Sequence, residues 1–264
     1  LQDTPELAYT QSQALIEKWH KKDRLHYAIT PRFAPTSSEA QLTQAGRLAK
    51  TYPDTYIHSH VAENKQEVAW VAELFPDSRS YLDVYDHYHL LRERSVYAHG
   101  IYLDDADLQR LYDTGGAIAF CPTSNQFLGS GLLDLERLYT HQVPVALATD
   151  IGGGTSFSML QTLNEAYKVQ QLQGQSLSAH QGFYLATLGS AKALCLDDQI
   201  GNFIPGKVAD FVVLDSQATP LIKHRMQRAK TLDEKLFVFM MLGDDRVIEA
   251  TYIMGQCVYS LLEQ

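Results

Sequence analysis

The chain has 264 residues, 45% hydrophobic and 20% charged, with a formal net charge of −9. That length supports a large core in one or two domains, and the acidic balance argues against nucleic acid or an anionic membrane surface as the main partner. No run approaches the roughly 18 apolar residues of a transmembrane helix, the polar N-terminus reads as no signal peptide, and the three isolated cysteines, Cys121, Cys195 and Cys257, form no disulfide framework, which points to a reducing cytoplasm.

Leu7, Leu15, Ile16 and Trp19 suggest an opening helix, and the start at Leu1 reads like the middle of a domain, so the chain is expected to be a piece of a longer protein. Leu25–Ile29 is a β-prone run ended by Thr30-Pro31. Thr36 and Glu39 form a capping-box pattern that predicts a helix to about Thr51. Thr55–His58 is the next predicted strand, and Asn64 with Glu67 caps a helix whose apolar face is Val68, Val71, Ala72 and Phe75. Ser95–Ala98 follows as a strand. Asp104 or Asp105 then starts a helix that stops near Gly115-Gly116. Ala117–Phe120 and Val143–Ala148 read as strands, with helices near Phe157–Gln173 and Ser178–Leu194. Strands recurring about every 25 to 40 residues with helices between them imply βα units and a parallel sheet, whose working face lies where the strands end.

The pattern changes after Leu196. Gly201–Gly206 is a hairpin signal, Ala209–Leu214 and Val247–Val258 are β-rich, and a helix near Leu232–Leu242 lies between them. The chain is therefore expected to divide into residues 1–198, a βα-repeat portion, and 199–264, a small β portion with a helix.

Polar residues sit at several strand ends. His60 and Glu63 follow one strand, His99 ends another, and Asp150 follows a third. Two imidazoles and two carboxylates so placed fit a metal that activates water, with Glu63 able to move a proton. Taken singly, each has a bland alternative: a dipole-complementing Glu63, core histidines, and an Asp150 that caps a helix or opens a phosphate loop. Their joint occurrence on successive βα units favours the metal site, since a buried carboxylate is costly unless paired or metal-bound. No GxGxxG motif or Walker lysine supports a nucleotide. Arg32 and Phe33 follow the first strand, where they could bind a carbonyl oxygen and stack on a planar ring, or be a surface arginine and a core phenylalanine. His87-x-His89 reads as surface histidines rather than a metal pair. Cys121, before Pro122, reads as a buried structural thiol rather than a nucleophile.

Thr30-Pro31-Arg32-Phe33-Ala34-Pro35-Thr36, Ser59-His60-Val61-Ala62-Glu63-Asn64, Tyr97-Ala98-His99-Gly100, Cys121-Pro122-Thr123-Ser124-Asn125, Thr149-Asp150-Ile151-Gly152-Gly153 and Leu242-Gly243-Asp244-Asp245-Arg246 resemble the guanine deaminase family of the amidohydrolase superfamily. So does Gly201–Lys207 followed by Ala209-Asp210. The resemblance covers nearly the whole chain, and the Pro-Arg-Phe and Gly-Asp-Asp-Arg segments narrow it within the superfamily. It implies an α/β fold, a partial (β/α)8 TIM barrel of the metal-dependent hydrolase type with a small C-terminal β-sandwich portion. It also implies a bound zinc, with iron as the alternative, hydrolysis of guanine to xanthine and ammonia in purine catabolism, and a cytoplasmic homodimer.

Residue by residue, the resemblance makes His60 and Asp150 metal ligands, Glu63 the proton shuttle and His99 the residue that orients the attacking water. Asp150 would also accept a proton from that water, Arg32 would recognise the purine carbonyl, and Phe33 would line the same pocket. The family's first-strand His-x-His pair has no counterpart before Leu25, so the chain alone is expected to be inactive. The competing readings are a related amidohydrolase acting on cytosine, adenine or a triazine, and a noncatalytic barrel subunit.

Overall fold

The computed structural model describes residues 3–261. These fall into two compact units. The first comprises the described residues up to Phe120 together with Leu135–Pro144, and the second Cys121–Asp134 with the described residues from Val145 onward.

The first unit is built on four parallel strands in sequential order: β1 (Ala28–Ile29), β2 (Tyr56–Val61), β3 (Ser95–His99) and β4 (Ala117–Phe120). Ile57 pairs with Ser95 and Val61 with His99, while Val96 pairs with Ala117. β3 and β4 are buried along their whole length, the continuous apolar pattern of a sheet covered on both faces. The helices Pro5–Trp19, Glu39–Thr51, Lys65–Leu74, Tyr81–His87, Asp105–Thr114 and Leu135–Thr140 complete this unit.

Three boundaries differ from the sequence reading, the first being β2, which runs on past His58 to Val61 and so includes His60. β1 is shorter than Leu25–Ile29, because Leu25 closes a turn with Lys21 and Lys22 through its own backbone groups. The helix after it is capped by Ser38, whose side chain accepts from the Gln41 amide, while Thr36 closes a preceding 3₁₀ turn. The Asn64 and Asp104 caps are as read, and Gly115 ends its helix in the left-handed conformation (φ 72°) that glycine adopts without strain.

In the second unit, β5 (Val145–Leu147) is buried, and the helix Met159–Leu172 packs its Leu163, Ala166 and Val169 inward. The expected continuous helix from Ser178 to Leu194 is interrupted by a π turn at Leu185–Gly189. Ser190 sits just beyond it, donating to the Leu185 carbonyl (2.6 Å) and accepting from the Leu147 amide (3.2 Å), so the bulge serves to tie β5 to the helix.

Gly201–Gly206 is a loop rather than a hairpin, closed by the Val208 amide on the Gln199 carbonyl. The C-terminal sheet is antiparallel, ordered β6 (Phe211–Leu214), β7 (Ile248–Ile253) and β8 (Gln256–Ser260), with helices Pro220–Met226 and Leu232–Leu242 before β7. Met254 and Gly255, both with positive φ, make the tight turn between β7 and β8. Among the described residues no helix is long and apolar enough to cross a membrane.

Candidate active site

In the first unit the sequence-predicted residues converge at the C-terminal ends of β1, β2 and β3. Alternation along β2 buries Ile57, Ser59 and Val61 and leaves His60 half-buried on the other face. His60 is fixed twice by one acceptor. Its amide donates to the Arg32 carbonyl at 3.3 Å, and its Nδ1 lies 2.7 Å from the same oxygen. A carbonyl only accepts, so Nδ1 carries the proton and Nε2 keeps its lone pair, the arrangement of a metal-binding imidazole held by an outer hydrogen bond.

His99 ends β3 and is 1% exposed. Its ring stacks on that of His60, with centroids 5.3 Å apart and planes at 24°. Glu63 presents Oε2 at 3.7 Å from His99 Nε2. Ala62 (φ 46°) and His99 (φ 73°) are both left-handed, so the chain turns abruptly at each strand end. That conformation costs about 1–3 kcal/mol for a side-chain-bearing residue and is found where the surrounding structure over-determines it. Here the Gly100 amide on the Val61 carbonyl (2.9 Å) and the Tyr102 amide on the Ala62 carbonyl (3.1 Å) hold the two turns together.

The loop after β1 brings Arg32 and Phe33 to the same cluster. The exposed Arg32 guanidinium lies 5.1 Å from the Phe33 ring centre, and the Phe33 ring stands 5.9 Å from that of His60. A planar ring face with a cation above it suits an aromatic ligand bearing a carbonyl. His87 and His89 are exposed, at and just beyond the end of helix Tyr81–His87.

Two nearby groups lay outside the sequence argument. The Glu67 amide is the donor to the Asn64 cap (2.9 Å), but the Glu67 side chain is buried. Burial first, and the negative charge of Glu63 second, push its carboxyl above the usual range. Tyr85, on the short helix Tyr81–His87, is fully buried and places its hydroxyl at the backbone of His60.

In the second unit Asp150 follows β5, half-buried and left-handed (φ 48°). Its carbonyl accepts from the Gly154 amide (2.5 Å), curling the glycine run tightly. A Cβ at Gly153 would stand 2.6 Å from Ser124 Oγ and 3.1 Å from Asp150 Oδ2, so glycine leaves the flank of the carboxylate open. Ser124, buried in the Cys121–Asn125 motif, is the polar neighbour the sequence reading left without a role. Cys121 is buried.

The Gly-Asp-Asp-Arg motif has a local structural logic. Asp244 accepts from the amide, Nε and Nη2 of Arg246, which holds its carboxyl below the usual range. Both residues line a cavity of about 710 Å³ together with Lys168, Glu165 and Asn164.

The amidohydrolase family model matches residues 2–258. The chain belongs to the amidohydrolase family. This amidohydrolase chain is 58% identical over 259 residues to the guanine deaminase of Escherichia coli (strain K12), covering 98% of the chain and 59% of that protein. It matches the solved structure of E. coli guanine deaminase with a TM-score of 0.97 at 57% identity, covering 98% of this chain and 61% of that one. It also matches the guanine deaminase of C. acetobutylicum, solved with guanine bound in the active site, with a TM-score of 0.89 at 27% identity, covering 98% and 62%. The chain thus spans about 59% of the length of the E. coli relative. The expected fold, a partial (β/α)8 barrel with a small C-terminal β portion, is the one this amidohydrolase chain has.

Proposed function

We propose that the protein carrying this sequence is a zinc-dependent guanine deaminase that hydrolyses guanine to xanthine and ammonia. The observation that carries this reading is the cluster at the ends of β2 and β3, in which the stacked rings of His60 and His99 meet the Glu63 carboxylate. The guanine deaminases among the relatives support the choice of substrate.

His60 and Asp150 are the metal ligands in this reading. Both fit: the Arg32 carbonyl fixes His60 in the tautomer with Nε2 free to coordinate, and Gly153 leaves room beside Asp150 Oδ2. A nitrogen and carboxylate donor set suits zinc and also iron. When bound, the metal would lower the pKa of a water molecule towards neutrality.

The remaining work falls to side chains. His99 orients the attacking water, and Asp150 takes a proton from it. Glu63 carries a proton to a ring nitrogen of guanine and then to the exocyclic amine, which leaves as ammonia while the carbon it occupied gains the oxygen of xanthine. Arg32 donates to the purine carbonyl, and Phe33 lines the ring pocket.

Residues 1–198 form the barrel portion and 199–264 the sandwich portion in this proposal, and the active species is a cytoplasmic homodimer. The test is to purify the natural protein, measure bound metal, and assay guanine beside adenine, cytosine and a triazine. The expected result is stoichiometric zinc and fastest turnover of guanine, lost on chelation and restored by zinc. Faster turnover of another ring would make it a related amidohydrolase, and absence of both metal and turnover would make it a noncatalytic barrel.

A further inference from the structure

We propose that Tyr85 is a positioning residue, whose hydroxyl locks the Arg32-Phe33 loop to the strand end that bears His60. The inference rests on the functional reading above only for its kinetic consequence; the clamp itself is a matter of geometry.

Tyr85 lies on the helix Tyr81–His87 and is 0% exposed. Its ring is held between those of Tyr81 (5.8 Å) and Tyr97 (4.9 Å). The hydroxyl accepts from the Ala34 amide at 3.0 Å and donates to the His60 carbonyl at 2.7 Å. The direction is forced, because an amide only donates and a carbonyl only accepts. Ser59 Oγ lies 3.0 Å from the same hydroxyl and 2.8 Å from the Pro31 carbonyl, to which it donates. One phenol therefore joins the residue just after Phe33 to the backbone of His60. Burial pushes its pKa up to about 12, so the proton is present at any physiological pH.

This clamp acts on the loop that presents Arg32 and Phe33, and it reaches Glu63 and His99 through none of its own bonds. The His60 ring keeps its separate bond to the Arg32 carbonyl when the phenol is removed. Loss of the hydroxyl strands the buried Ala34 amide and takes a donor from the part-buried His60 carbonyl, and the loop relaxes to rehydrate the amide. Ring binding suffers while the proton-transfer groups stay in place.

The test pairs Tyr85→Phe with Tyr97→Phe in the natural protein. Tyr97 is equally buried in the same stack, but its hydroxyl donates only to the Leu90 carbonyl (2.9 Å), away from the loop. Backbone hydrogen exchange is read first. In the wild type the Ala34 amide, though it opens a 3₁₀ turn and belongs to no sheet, is expected to be protected like a sheet amide. In Tyr85→Phe that protection falls at least roughly tenfold, and in Tyr97→Phe it does not. Kinetics follow: Tyr85→Phe raises the KM for guanine roughly tenfold with kcat and metal content nearly unchanged, the scale of one misplaced hydrogen bond to a charged group.

An unprotected Ala34 amide in the wild type overturns the clamp, and this readout survives even if Tyr85→Phe does not fold. Equal exchange and equal KM in the two variants overturn it as well. If the wild type does not deaminate guanine, the functional reading fails, and the Ala34 exchange still decides the clamp.

Discussion

His60 and Arg32 share a single point of attachment: the Arg32 carbonyl receives both the amide and the ring Nδ1–H of His60, at 3.3 and 2.7 Å. The residue proposed to grip the purine and the residue proposed to bind the metal are thus joined through the backbone of one and the ring of the other. Substituting the Arg32 side chain leaves that carbonyl in place, so the two roles separate cleanly in experiment.

Arg32→Ala is expected to lower kcat/KM for guanine roughly ten- to a hundredfold, the loss of about 1.5–3 kcal/mol that goes with a charge-assisted hydrogen bond. Bound metal stays at the wild-type level. Steady-state kinetics with metal analysis on the same sample check this, and metal loss in Arg32→Ala would break the proposed division of labour.

His60→Ala is expected to do the reverse, emptying the site of metal and abolishing turnover. Elemental analysis after dialysis is the measurement. A variant that keeps its full metal content would remove His60 from the ligand set.

Glu63→Gln keeps the shape of the side chain 3.7 Å from His99 but cannot carry a proton. We expect kcat to fall by about 10²–10⁴, the range for losing a general acid–base group, with metal retained. Activity within a few-fold of wild type would assign the proton transfer elsewhere.

Glu67 bears on stability against pH. Its folded carboxyl holds a proton more tightly than the unfolded one, whose reference value is 4.5, chiefly because it is buried and also because Glu63 lies nearby. The stability that this group contributes is fully present below that reference value and is lost as pH rises from it through the folded pKa. Glu67→Gln removes the titration, so its melting curves should flatten over that range and exceed wild type at the alkaline end. A decline as steep as the wild type's would assign the effect to another group.

The Asn64 cap holds the start of helix Lys65–Leu74 immediately after Glu63. Asn64→Ala should cost about 1 kcal/mol in denaturant unfolding. A larger drop in kcat than in stability would show that the cap also aims Glu63.

Much of the first unit was legible because its signals are local. Asn64 and Asp104 cap the next few amides, Gly115 ends a helix in the conformation it alone adopts cheaply, and Ala117–Phe120 is a short apolar run between turn signals. Where local cues competed, the reading slipped. Thr36 and Ser38 both offer a capping hydroxyl, and only the backbone turn at Ala34–Thr36 selects Ser38. The apolar face assigned to Lys65–Leu74 included Ala72, which is exposed, and missed Glu67, which is buried, because helix periodicity does not say what packs above it.

The sequence by itself determined the βα succession, the strand-end positions of Arg32, Phe33, His60, Glu63, His99 and Asp150, and the family, since each depends on residue type and spacing along the chain. Only the tertiary structure decided the stacking of His60 on His99, the tautomer of His60, the burial of Glu67 and the reach of Tyr85 to Ala34 and His60. These depend on parallel register and on left-handed turns at Ala62 and His99, which bring together groups distant in sequence. Contacts across a parallel sheet carry no periodic imprint in the chain, because each is set by the packing of separate βα units rather than by neighbouring residues.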